Sequence, residues 1–181
     1  MAYLPSTPDA TLFDAFKADP HIAHPIHQFS EAVMRGPSPL TPGQRELLAA
    51  RTSAVNGCHF CRDSHAATAR GLDLDADAIA HAIAGAAPED MPALAPLLAY
   101  ADKLTRAPAT VAQDDIDAIL GAGWGEDAVR HTALIVGMCN LMNRWVEGLG
   151  IETDPQTVEA AGTMLARDGY AAVSDLLDAD K

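Results

Sequence analysis

The sequence predicts an all-α protein. No segment sustains the two-residue alternation of a half-buried strand, whereas apolar residues recur at three- and four-residue spacing between turn signals. Aromatic residues are only 5% of the chain, so Ala, Leu, Ile, Val and Met must fill the core, which suits closely approaching helices. A chain of 181 residues is the size of one ordinary domain. We read residues 1–181 as a single domain of seven or eight helices without solenoid repeats: residues 1–40 form an N-terminal arm and 41–181 a helical body.

In the arm, six prolines between Pro5 and Pro39 cut the chain into pieces, leaving Thr11 to Lys17 and Ile26 to Arg35 as helical turns. The body begins at Thr41, a candidate N-cap before Pro42, and an apolar stripe of Leu47, Leu48, Ala50 and Val55 leads to Asn56 and Gly57. A second helix runs from Cys58 to Arg70 and closes at Gly71. Asp75 caps a third that ends at Gly85, and Pro92 to Ala107 is a fourth with Leu94, Leu97, Leu98, Ala101 and Leu104 on one face. A short piece spans Asp114 to Leu120. The longest periodic run is Glu126 to Glu147, followed by a helix from Asp154 to Arg167 and a last one over Tyr170 to Leu177.

Charge excludes two classes of partner. Acidic residues outnumber basic ones 25 to 12, a net charge of −13, and a field of that sign repels phosphate backbones and anionic lipid headgroups. We expect no nucleic-acid or membrane partner. The segment Met1 to Asp14 shows no basic region leading into an apolar one, and no run approaches the ~18 apolar residues of a membrane span, so the expected location is cytoplasmic.

The chemistry concentrates in Glu46 to His65, ELLAARTSAVNGCHFCRDSH, which holds Cys58, Cys61 and His65 as CxxCxxxH. If Cys58 opens a helix after Gly57, its thiol faces that of Cys61 across the first turn, and the helix N-terminus favours thiolate over thiol. His65 lies four residues after Cys61, where an imidazole can take the thiol's proton. Glu46 lies eleven residues before Gly57 and His65 eight after it, about 16 Å and 12 Å of helix. In an antiparallel hairpin the carboxylate can therefore orient the imidazole.

These residues resemble the alkylhydroperoxidase D and carboxymuconolactone decarboxylase superfamily, in particular its peroxidase-related branch. The runs RGPSPLTPGQRELLAARTSAVNGCHFC (35–61) and LMNRWVEGLGIE (141–152) carry the same likeness. The resemblance implies an all-α fold of the alkylhydroperoxidase D-like type. It implies a thiol-dependent peroxidase in which Cys61 attacks the hydroperoxide, Cys58 resolves the sulfenic acid into a disulfide, and Glu46 and His65 relay the proton. It implies an external dithiol or protein reductant, a homo-oligomer (trimer or hexamer), and no metal or other cofactor. Helix-dipole reasoning alone would favour Cys58 as the attacking thiol. A histidine precedes the second cysteine in the best-known family members, whereas here Phe60 does and His59 follows the first.

Other readings stand beside this one. A zinc corner would need a fourth ligand beyond Cys58, Cys61 and His65. An acid/base enzyme of the decarboxylase type would use His65 and Glu46 without redox-active thiols, and a non-catalytic redox sensor or disulfide carrier would use the same thiols on a protein partner. Cys139 reads as a small core residue on the apolar stripe of the long helix. His21, His24 and His27 suggest a ligand cluster, but Pro20 and Pro25 should break their common face. His81 and His131 read as packing residues, and Asn143 and Arg144 as a polar pair satisfying helix carbonyls or acidic groups rather than binding a substrate carboxylate.

Overall fold

Thr41 and Gln44 cap each other at the head of the central helix. The Thr41 hydroxyl accepts from the Gln44 amide at 3.2 Å while the Gln44 side chain accepts from the Thr41 amide at 2.9 Å, and Pro42 supplies the preset first turn. In the computed structural model, which describes residues 2–152 and 154–179, this helix is the third of ten. They are α1 (Leu12–Ala18), α2 (Pro20–Met34), α3 (Pro42–Asn56), α4 (His59–Gly71), α5 (Ala76–Ala84), α6 (Ala95–Arg106), α7 (Gln113–Gly121), α8 (Glu126–Leu149), α9 (Pro155–Asp168) and α10 (Ala171–Ala179). Among the described residues there is no strand, and no helix is long and apolar enough to cross a membrane.

The all-α expectation holds, with two corrections. Among the described residues ten helices form rather than seven or eight, because both arm segments are helices in their own right. The arm's second helix also begins at Pro20, not Ile26, and runs through Pro25. Pro20 occupies the first turn, where its missing N–H is no loss, and Pro25 forfeits one bond, that to the carbonyl of His21. The buried stripe of Ala23, His27, Ser30, Val33 and Met34 carries the helix past that defect. His21, His24 and His27 therefore share one helix after all, but they do not converge. His21 is exposed, His24 faces Asp178 at 3.5 Å, and buried His27 bonds the Ala23 carbonyl at 2.8 Å.

α3 lies at the centre. It packs on α4, α5, α6 and α8, and Leu47, Leu48, Leu97, Leu98, Ile135 and Val136 interlock around it with almost no exposure. Gly57, left-handed at φ 74°, ends α3 and turns the chain straight into α4, so the two form a hairpin. α9 then closes on the back of α4. At Gly162 an added Cβ would lie 2.8 Å from the Ala67 carbonyl carbon and 2.9 Å from the Thr68 amide nitrogen, so the helices approach backbone to backbone. Gly162→Leu should therefore cost about 1–3 kcal/mol by overpacking, with α4 displaced. Urea unfolding of the two proteins measures it; an unchanged midpoint would contradict the close approach.

Candidate active site

The site is built on the α3–α4 hairpin. Glu46, one turn into α3, is 0% exposed, and a carboxylate so placed needs donors on every side. Three elements supply them. His65 of α4 sets Nδ1 2.7 Å from Oε2, Arg35 at the end of α2 sets a guanidinium nitrogen 2.9 Å from Oε1, and the Tyr170 hydroxyl, just before α10, lies 3.1 Å from both oxygens. Tyr170 is also 3.2 Å from His65 Nδ1, and the Arg35 guanidinium sits over its ring at 5.1 Å. Burial and then the Glu46 charge push the Tyr170 phenol well above its usual range, so it stays a donor.

The other face of His65 is the unexpected part. Its Nε2 faces the sulfur of Cys139 on α8 at 4.0 Å, and its polar contacts are with Glu46, Tyr170 and Cys139. The base that its spacing assigned to Cys61 is thus turned towards a different thiol. The reason is geometric: Cys61 lies near the start of α4, and the imidazole points inward between α3 and α8 rather than back along its own helix. Cys139 is a core residue as expected, 1% exposed, but its sulfur also lies against the imidazole. Burial, followed by the charge of Glu46, raises its thiol far above the ordinary range.

The dithiol occupies a separate small cluster. Cys58 and Cys61 pack with Val146 and Ile151, with Leu12 and Ala15 of α1 and Phe60 around them. Cys58 is the N-cap of α4 rather than its first residue, and it shares its cluster with Cys61. The neighbouring Cys61 first, and burial second, push the Cys58 thiol above its usual range, with Glu147 acting in the same sense. Burial and the neighbouring thiol thus oppose the helix dipole at Cys58, since an enclosed sulfur disfavours the charged form. Cys61, 6% exposed against 0% for Cys58, is the more accessible of the pair. A cleft of about 480 Å³ opens beside them, lined in part by Tyr3, His59, Phe60, Asp63, Arg70 and Glu147.

The remaining candidates fall outside this chemistry. His59 is exposed on the cleft wall. Asn143 is buried, accepting from Asn56 at 2.7 Å and donating to Ser53 at 3.1 Å, while Arg144 bonds the carbonyl of Asn140 at 2.9 Å on its own helix. His131 bonds the Val33 carbonyl at 2.7 Å, as a packing residue would, but His81 is exposed and bonds the Asp77 carbonyl. Among the described residues, no group of three or more His, Cys, Asp or Glu side chains could hold a metal ion. Arg35 and Tyr170 were not singled out from sequence: Arg35 stood unremarked inside the 35–61 run, and nothing near Tyr170 signals a distant carboxylate.

Raised thiol pKa values lower the thiolate fraction, and only thiolate alkylates. In the native reduced protein at pH 8, Cys58 and Cys139 should therefore react with iodoacetamide at least ten times more slowly than in the urea-unfolded chain. Peptide mapping after timed quenching measures this, and equal rates would contradict the assigned environments.

Residues 20–103 match the model of the carboxymuconolactone decarboxylase family. That segment contains Arg35, Glu46, Cys58, Cys61 and His65 but neither Cys139 nor Tyr170. Among solved structures, an uncharacterized peroxidase-related protein from Silicibacter sp. TM1040 superposes with a TM-score of 0.73 at 23% identity, covering 80% of this chain and 76% of its own. An uncharacterized peroxidase-related protein from Ralstonia eutropha JMP134, described as an alkylhydroperoxidase AhpD core, gives 0.75 at 22% identity, with 84% and 80% covered. No curated protein matches the chain. The segment 20–103, with the carboxylate, the dithiol and the imidazole on it, is similar to the carboxymuconolactone decarboxylase family, and the chain has the all-α fold of the alkylhydroperoxidase D-like proteins.

Proposed function

We propose that the protein is a thiol-dependent, peroxidase-like oxidoreductase acting on small hydroperoxides. The observation that carries this reading is the pairing of Cys58 and Cys61: two free thiols in one small buried cluster beside an open cleft, Cys61 the more accessible of the two. Cys61 as thiolate attacks the distal oxygen of the hydroperoxide. The O–O bond breaks, the sulfur loses two electrons as it becomes sulfenic acid, and an alcohol or water leaves with one proton. The Cys58 sulfur then attacks the sulfenic sulfur, forming the disulfide and releasing water, and an external dithiol restores both thiols. In this reading Glu46 and His65 manage protons behind the dithiol. His65 rests on Cys139, so the proton of Cys61 reaches it only through water or rotation of the ring.

One observation favours a second reading. The Arg35–Glu46–Tyr170–His65 network is complete without any contact to Cys58 or Cys61, as a cofactor-free acid/base enzyme of the decarboxylase type would require. The thiols separate the two. With dithiothreitol as reductant, consumption of cumene hydroperoxide should be abolished by Cys61→Ser, while His65→Gln should slow it by about 10²–10⁴-fold, the usual range for losing an acid/base group. Hydroperoxide turnover that survives the Cys58→Ser/Cys61→Ser double substitution would overturn the dithiol reading and leave the acid/base one. Slow peroxide reaction beside fast exchange with a protein disulfide would instead mark a sensor or carrier.

We also infer a homo-oligomer. An apolar groove of about 140 Å³ between α2 and α8, lined by Ile26, Phe29, Leu134, Met138 and Leu141, leaves Phe29, Leu134 and Leu141 more than 40% exposed. Leu134→Glu should lower the mass in light scattering to that of one 19.0 kDa chain, and a wild-type mass already at that value would contradict the inference.

A further inference from the structure

The carboxylate–imidazole pair is completed from outside the family-matched segment. Tyr170 reaches it from the C-terminal helices, and its placement is over-determined. Its backbone amide and that of Ala171 both donate to one Glu31 oxygen, at 2.6 and 3.1 Å, which pins the start of α10 to α2. α9 is held against α4 by the close approach at Gly162, and the Leu165 carbonyl accepts from Arg35 at 3.1 Å. Three helices thus converge to put one hydroxyl, in a side chain 8% exposed, on both oxygens of Glu46 and beside His65 Nδ1. Arg35 neutralises the carboxylate from one side. The hydroxyl can donate one proton, and it does so to Glu46, since Nδ1 at 2.7 Å from Oε2 must itself carry the proton of that bond. Nε2 is then the bare nitrogen, and it is the one turned towards Cys139.

We propose that Tyr170 is a positioning residue of the Glu46–His65 relay. By holding both carboxylate oxygens, it keeps Glu46 in the orientation that binds the Nδ1–H tautomer of His65 and so leaves Nε2 as the base. The groups that face the pair are Arg35 from the end of α2, Cys139 from α8, and Tyr170 itself. A substitution of Tyr170 acts on the reaction through the Glu46–His65 pair.

The inference rests on the relay of the proposed function, so its test separates the two. Tyr170→Phe keeps the ring and its contact with Arg35 and removes only the hydroxyl. Peroxide-driven loss of thiol is timed in the wild type, Glu46→Gln, Tyr170→Phe and the double variant, each checked for native helicity by circular dichroism. We expect Tyr170→Phe to slow the reaction about five- to thirty-fold, Glu46→Gln to slow it more, and the double variant to be no slower than Glu46→Gln alone, the non-additivity of residues acting as one unit. Multiplying effects would mean a general structural role and would overturn the proposal, as would an unchanged rate in Tyr170→Phe while Glu46→Gln is slow. If neither single variant slows, the relay reading itself fails, and the proposal with it. A measurement without peroxide guards against a misfolded variant: in the ¹⁵N-histidine-labelled wild type, neutral His65 should be the Nδ1–H tautomer, and an Nε2–H tautomer would overturn the assignment whatever the kinetics.

Discussion

A fully buried carboxylate constrains the rest of the structure. Glu46 is shut off from bulk solvent, and stripping a charge of its solvent costs several kcal/mol unless excellent partners replace that solvent. Its partners come from α2's end, from α4 and from the turn before α10, which are far apart in sequence and meet only because the helices are arranged as they are. The hairpin turn at Gly57, the glycine-mediated contact of α9 with α4 and the clamp of Glu31 on Tyr170 each serve to bring one donor into range. Arg45 reinforces this by bonding the carbonyls of Val33 and Gly36 at 3.0 Å each, fixing the loop from which Arg35 reaches in.

The same packing divides the cysteines into two environments. Cys139 sits in the main core with the imidazole, while Cys58 and Cys61 sit in a satellite cluster formed by the ends of α4 and α8 and covered by α1. The arm is therefore part of the site: Leu12 and Ala15 lie against the dithiol, and Tyr3 lines the cleft beside it. The two thiols and the carboxylate–imidazole network share one helix, α4, which carries Cys61 and His65 one turn apart in two different surroundings.

What the sequence made legible was local. Thr41, Pro42, Gly57 and Asp75 are capping and stop signals that act within a turn of themselves, and the helices they bound were placed to within a residue or two. The approach of Glu46 to His65 was also readable, because a hairpin with a tight turn leaves only helical rise to be reckoned. Two things were not readable. Proline rules gave a broken arm because they describe a helix in isolation, and burial of one face outweighed the single lost bond at Pro25. The second face of His65 depends on how α8 and α10 rotate against α3 and α4, a long-range register with no local sequence marker. Cys139 therefore passed as filling and Tyr170 went unseen. At Cys58 a neighbouring thiol and desolvation, neither of them visible to helix-dipole reasoning, oppose the terminal dipole.

The account stands on the two thiols of α4 acting as one redox unit, with the third held apart. Intact-mass analysis tests that directly: prereduced protein is trapped with maleimide, after denaturation, before and after one equivalent of cumene hydroperoxide. The account predicts that two of three thiols disappear, that peptide mapping places the disulfide at Cys58 and Cys61, and that Cys139 is labelled in full. Three labelled thiols, or a disulfide that includes Cys139, would contradict it.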